Sequence, residues 1–180
     1  MKYKTYYNSP LGVICLASDG KRLTGLWNEG QKYHGEGLYG CFMQRDDLPI
    51  FDMAKNWLDR YFNKENPPIC DVPICMGNAS KFRQSVWQIL CEIPYGEVLT
   101  YGGIAKVMAK KLGLQNMSSQ AVGGAVGHNT ISIIVPCHRV VGSSGSLTGY
   151  AGGIGIKVKL LELEGVDMNK YFVPTKGTAL

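Results

Sequence analysis

The stretch ISIIVPCHRV, residues 131–140, decides how the chain is read. Four apolar β-formers precede a proline, and a cysteine and a histidine follow it side by side. The spacing predicts a short buried strand over ISIIVP, halted at Pro136, whose ring fixes the backbone and removes a donor just before Cys137. A sulfur reached in this way is held rigidly at the end of the strand, facing a surface or a cleft. A cysteine in such a setting either packs or reacts, and buried cysteines that only pack are common.

Working outward, the preceding residues read as paired helices. Ser80 caps a helix with Phe82, Val86, Trp87, Ile89, Leu90 and Ile93 on its apolar face, stopped by Pro94-Tyr95-Gly96. Thr100 caps a second with Ile104, Val107 and Met108 inward and Gly113 near its end. SSQAVGGAVG, residues 118–127, opens with hydroxyl caps and continues in small residues, so the pair reads as helix-turn-helix. Gly123 and Gly124 disfavour a helix unless its backbone must approach a neighbouring helix or a nucleic-acid groove closely. Beyond the central stretch lies a loop, GSSGSLTGYAGG, and then a helix with Ile156, Leu160, Leu161 and Leu163 inward, ending at Glu164-Gly165.

The first forty residues differ in character. Lys2 to Tyr7, Val13 to Ala17 and Leu23 to Trp27 read as antiparallel strands around the turns NSPLG and SDGKR. Phe51, Ala54, Leu58, Tyr61 and Phe62 recur at helical spacing, and PPICDVPICMGNA (67–79) suits a connection between domains. The boundary is expected near Cys75, giving domains over 1–75 and 76–166 and an unassigned tail over 167–180.

With 180 residues and 45% hydrophobic content, the chain supports one sizeable core or two small ones. It carries neither a signal-peptide apolar region nor an apolar run of membrane-spanning length, so a cytoplasmic protein is expected. The six cysteines (15, 41, 70, 75, 91 and 137) lack CxxC spacing and are expected as free thiols. Residues 1–75 balance nine basic against nine acidic side chains, and the whole excess of +5 falls in 76–180. A basic half of this kind suits a polyanion as readily as it suits a merely solvated surface.

A thiol with a pKa of about 8.5 needs a base or a positive field to react at neutral pH. His138 is adjacent and Glu164 closes the later helix, so thiol, imidazole and carboxylate form a chemically sensible set. Spacing alone does not bring the three together, and in extended chain Cys137 and His138 point to opposite faces, so a bend or a bridging water is required. A zinc site would have to draw on Cys70 and Cys75 besides Cys137-His138, without ligand-pair spacing. A thiol protease or another transferase uses similar groups, but no sequence feature specifies an acyl substrate.

SIIVPCHRV followed by GYAGG and KxKLLxLEG, with PYGEVLTYGGIA and AVGGAVGHN upstream, resembles the O6-alkylguanine-DNA alkyltransferase family over residues 80–165. Residues 1–75 resemble that family's N-terminal domain in pattern and in the SPLG turn. The resemblance implies a ribonuclease H-like α/β N-terminal domain with a small antiparallel sheet, then a mainly α, winged helix-turn-helix-like domain. It also implies direct damage reversal: an alkyl group passes from O6 of guanine in double-stranded DNA irreversibly to Cys137, once per molecule. O4 of thymine is a further substrate that the resemblance leaves open.

By the same resemblance His138 deprotonates Cys137 through a water while Glu164 holds the imidazole. Tyr101 donates toward N3 and presses on the rotating phosphate, and Asn129 ties the helix-turn-helix to the Cys137 segment. Backbone groups of Cys137, Val140 and Ala151 read the flipped base. Ser119, Gln120, Ala121, Gly123, Gly124, Arg139 and Tyr150 complete the substrate and DNA contacts. Neither a metal nor an organic cofactor is implied, and a monomer acting on DNA away from membranes is expected. A carbon inside a stacked duplex is out of the sulfur's reach, so the base must be flipped.

The sequence departs from the family pattern at three positions. Gln120 stands where an arginine often fills the gap left by the flipped base, Thr130 follows Asn129 where proline is frequent, and Ala151 replaces a serine. Relatives that only bind alkylated DNA carry a tryptophan in place of Cys137, so the cysteine favours transfer over binding. A transcription regulator would also use a helix-turn-helix, but the chain offers no obvious dimerisation helix or effector domain.

Overall fold

A computed structural model describes residues 2–35 and 42–175, and Cys41 lies outside them. The chain divides into two compact units, one of residues 1–78 with 130–134 and the other of residues 79–129 with 135–180.

The first unit is built on β1 (Lys2–Ser9), β2 (Gly12–Ser18) and β3 (Leu23–Asn28), the antiparallel strands expected around the turns NSPLG and SDGKR. A short β4 (Phe42–Gln44), too brief to carry a period, adds to β1 in parallel, giving the order β3-β2-β1-β4. Helix α1 (Pro49–Phe62) starts with proline in its first turn and buries Ile50, Phe51, Ala54, Trp57, Leu58 and Tyr61. Tyr7, from β1, donates to Asp59 of α1 at 2.7 Å. In β3 the buried indole of Trp27 lies over Gly25, where a Cβ would come within 1.9 Å of the ring.

The outer edge of β3 is taken by two short segments. Leu23 pairs with Ile74, and Leu26 pairs with Ile131 through bonds to Thr130 O (2.8 Å) and from Ser132 N (3.0 Å). The expected ISIIVP strand is therefore corrected to a single bridge at Ile131. The side chain of Gln31 meets Ser132 at 3.0 Å, and the backbone then turns sharply at Ile133. Ile133 has φ +69°, and Ile134 N bonds back to Ser132 O at 2.8 Å. This three-residue turn is strained for a β-branched residue and needs its buried surroundings to persist.

In the second unit α2 (Lys81–Cys91), α3 (Tyr101–Leu112) and α4 (Ser119–Gly127) are capped by Ser80, Thr100 and Ser118, each side chain accepting from a first-turn N–H. Gly113 closes α3 in the left-handed conformation, φ 65°. Trp87 of α2 donates to Ala125 O of α4 at 2.8 Å. β5 (Leu99–Thr100) pairs in parallel with β6 (Val140–Val141), and α5 (Ile154–Leu163) ends at Glu164 with Gly165 at φ 77°.

The residues after Asp167 continue the unit. Leu147 N bonds to Phe172 O at 2.9 Å and Phe172 N to Gly145 O at 3.1 Å. Val166, Met168 and Tyr171 pack on a core of Val141, Leu147 and Leu161. Among the described residues no helix is long and apolar enough to cross a membrane.

Gly25→Ala tests the closest approach in the first sheet. With Trp27 fully buried, its ring cannot swing aside, and the substitution is expected to destabilise by about 1–3 kcal/mol in urea titration.

Candidate active site

With no strand to stop, Pro136 has another part. At φ −81° and ψ 64° it is the centre of a tight turn in which Cys137 N bonds to Val135 O at 2.8 Å. The chain enters a 3-10 turn over Cys137–Arg139, so the two side chains that would face opposite ways in a strand are about 120° apart instead.

Asn129, at the end of the helix-turn-helix segment and 4% exposed, fixes this arrangement with one amide nitrogen. Its Nδ2 donates to Val135 O at 2.8 Å and to Cys137 Sγ at 3.1 Å. Cys137 is 5% exposed, and the groups that reach its sulfur are polar as well as apolar. Lys157 and Tyr101 both feel charge on that sulfur.

Of the expected thiol, imidazole and carboxylate, the last two are bonded to each other, and the thiol precedes the imidazole on the same 3-10 turn. His138, fully buried, bonds through Nε2 to Glu164 Oε1 at 2.7 Å. Burial pushes the imidazole toward its neutral form, Glu164 opposes that, and the nearby Arg139 and Lys157 charges add to it. In the neutral ring Nε2–H donates to the carboxylate, which leaves Nδ1 as the proton-accepting nitrogen. Burial alone would raise the Glu164 carboxyl, but its bonds and charge contacts with His138 and Arg139 outweigh burial and hold it at about 2. Gly96 N adds a bond to Glu164 Oε2 at 3.2 Å.

Tyr101, the first residue of α3, donates its hydroxyl to Thr148 O at 3.1 Å. Burial, with charge on Cys137, pushes the phenol up to about 12, so it remains a proton donor at neutral pH. Gly149, at φ 79°, passes so close that a Cβ would lie 2.5 Å from that hydroxyl. Tyr150 is buried and meets His138 edge-on at 6.5 Å, with the half-buried Ala151 next in the loop. Val140 is buried, and its carbonyl accepts from Lys157.

Arg139, expected among the DNA contacts, is instead turned inward. It is 7% exposed, and its guanidinium bonds to Glu164 and to Ile93 O. A buried guanidinium spent on a carboxylate does not offer a surface cation to a phosphate.

On α4 Ser119, Gln120, Ala121 and Gly124 are exposed, and Gly123 is half-buried, where an added Cβ would lie 3.8 Å from the Tyr101 ring. A Cβ on Gly124 would touch nothing, so packing within the protein does not explain that glycine.

The sequence reading missed Lys157. It is fully buried and donates to Val140 O (2.5 Å) and Thr148 O (2.8 Å), joining the strand after Cys137 to the Gly149 loop. Burial lowers its ammonium to about 8, with charge on Cys137 opposing. Its signal was available, because 157, 160, 161 and 164 share one helical face. Among the described residues no three His, Cys, Asp or Glu side chains converge as a metal site.

The DNA-binding domain model of 6-O-methylguanine DNA methyltransferase matches residues 81–166, and the ribonuclease-like domain model matches residues 2–75. The methylated-DNA–protein-cysteine methyltransferase of Methanosarcina mazei is 47% identical over 163 residues, 88% of this chain and 96% of that protein. The chain belongs to this family. The relative of the same name from Haemophilus influenzae is 40% identical over 90% of this chain and 86% of its own. Mycobacterium tuberculosis OGT in complex with DNA has TM-score 0.78 and 39% identity, covering 94% of each chain. The two-domain architecture, with a ribonuclease-like sheet domain and a helical DNA-binding domain, is that of the family.

Two substitutions probe the site. Asn129→Ala leaves the buried Val135 carbonyl without that amide and is expected to cost about 1–3 kcal/mol in urea titration. Glu164 has a folded pKa of about 2, below its ordinary 4.5, so its contribution to stability is complete above pH 4.5 and is lost as pH falls toward 2. Glu164→Gln should therefore be less stable than the native chain at pH 7, with the gap narrowing in denaturation curves taken at falling pH.

Proposed function

We propose that this protein reverses alkylation damage by moving an alkyl group from O6 of guanine in double-stranded DNA to Cys137, one transfer per molecule. The observation that carries the reading is a sulfur held by Asn129 in a helix-turn-helix unit, next to an imidazole oriented by a buried carboxylate. His138 accepts the thiol proton, through a water as in the family pattern. The thiolate attacks the alkyl carbon, the S–C bond forms as the C–O6 bond breaks, and the bonding pair stays on the base oxygen. Tyr101, a phenol that stays protonated at neutral pH, supplies a proton toward N3 so that guanine leaves neutral. The thioether left on Cys137 has no comparable leaving group, which makes the protein a stoichiometric reagent.

The base reaches the sulfur by flipping, with backbone groups of Cys137, Val140 and Ala151 reading it beside Tyr150. The exposed face of α4 enters the groove, and the open space at Gly124 gives its small size a reason outside the protein. Gln120 stands in the gap left by the base and lacks the charge and stacking plane of an arginine. Lys106, Lys110 and Lys111 of α3 are exposed to meet phosphates, so affinity falls as salt rises. The protein acts as a monomer.

Incubation with one equivalent of O6-methylguanine duplex should add one methyl mass to Cys137, and the gain should vanish in Cys137→Ala. Tight binding without mass gain would make the protein a binder and end the transfer reading. Gln120→Arg should speed transfer from duplex by about tenfold, because extrusion costs a few kcal/mol, and leave transfer from single strands unchanged. An unaltered duplex rate would remove the assigned role of Gln120.

A further inference from the structure

Arg139 follows the Cys-His pair yet lies inside the protein, and its partners are specific. Nε donates to Glu164 Oε2 at 2.8 Å, Nη2 to Glu164 Oε1 at 3.0 Å and Nη1 to Ile93 O at 2.6 Å. Its guanidinium carbon sits 5.7 Å from the centre of the Tyr95 ring. The fork therefore spans both carboxylate oxygens, and Oε1 is the oxygen that also receives His138 Nε2.

That sharing bears on the chemistry. A buried carboxylate bonded to an imidazole alone favours imidazolium, which has no lone pair to take the proton of a thiol. Here the charges facing His138 are Glu164 at the end of α5, Lys157 within α5 and Arg139 on its own turn. Cys137 precedes it, and Tyr150 meets it edge-on from the loop. Arg139 is bonded to that carboxylate, while Lys157 is bonded to two carbonyls and feels charge on Cys137.

We propose that Arg139 is a positioning residue: it clamps Glu164 for His138 and offsets the carboxylate charge, so that the imidazole is held in its neutral, proton-accepting form. The proposal rests on the alkyl-transfer reading for its purpose but not for its measurement. The direction of the His138 shift agrees, with burial as the largest cause and Arg139 and Lys157 adding to it.

The test follows His138 in full-length protein carrying labelled histidine, by NMR titration of the native chain, Arg139→Gln and Arg139→Lys, alongside the pH profile of methyl transfer. In Arg139→Gln the His138 midpoint should rise by about one pH unit. The acid limb of the rate profile should move with it, an approximately tenfold loss at a given pH on that limb, with near-native rates at alkaline pH. Arg139→Lys, which keeps the cation but not the fork, should lie between the two. An unmoved midpoint, or a rate loss equal at every pH, overturns the proposal.

Should Arg139→Gln fail to fold, Arg139→Lys carries the test: its His138 midpoint must lie above the native one, and an unmoved midpoint overturns the proposal. In the native chain His138 must be neutral with its proton on Nε2 at pH 6, and a charged ring there overturns the assignment. If the native protein transfers no methyl, the alkyl-transfer reading falls by itself while the imidazole titration still measures what Arg139 does.

Discussion

The carboxylate of Glu164 is held from three directions: by the imidazole of His138, by the guanidinium of Arg139 and by the backbone N–H of Gly96. Burying one carboxylate with one guanidinium in this way is expensive unless both are fully hydrogen-bonded, and here the bonds are made. Much of the second unit is arranged so that they can be. Gly165 ends α5 in the left-handed conformation just after Glu164, and Gly96, at φ 79°, lets the turn after α2 come within 2.9 Å of the Glu164 carbonyl where a Cβ would stand. The 3-10 turn that presents His138 and Arg139 together leads directly into β6.

A second polar anchor works on the other side of Cys137. The Asn129 amide reads the Val135 carbonyl and the sulfur at once, so it ties the end of the helix-turn-helix to Cys137. Lys157 does the same for the two segments beyond, through the Val140 and Thr148 carbonyls. Asn129 and Lys157 each bridge separate pieces of chain, and the Asn129 amide is bonded to the sulfur itself. Its position is a product of polar bonds, while the apolar residues around it supply the burial that makes those bonds strong.

Much of this is legible in the sequence where the signal is local. Hydroxyl caps at Ser80, Thr100 and Ser118 mark helix starts because each satisfies an N–H a few residues on, and Gly113 and Gly165 mark helix ends because only glycine adopts that conformation freely. The turns NSPLG and SDGKR mark off β1 to β3. The Cys, His and Glu set is legible because its chemistry requires those types. What is not legible depends on distant partners. Ile131–Ile134 has the composition of a strand, but only one residue finds an edge to pair with, and the rest is bent by bonds to Gln31 and across Ile133. Arg139 reads as a surface cation because nothing nearby reveals that a carboxylate 25 residues on will receive it. Lys157 is legible on the face it shares with 160, 161 and 164, but the Val140 and Thr148 carbonyls that receive it are not.

The excursion of residues 130–134 to the edge of β3 makes the first unit discontinuous in sequence. A cut between the two family-model regions would not separate two self-sufficient pieces, since the fragment from 79 onward would carry Ile131, Ile133 and Ile134 without the strand that shelters one of them. Exchange of either half between relatives by recombination consequently needs three crossover points rather than one, and a single-junction chimera inherits a mismatched edge just upstream of Cys137.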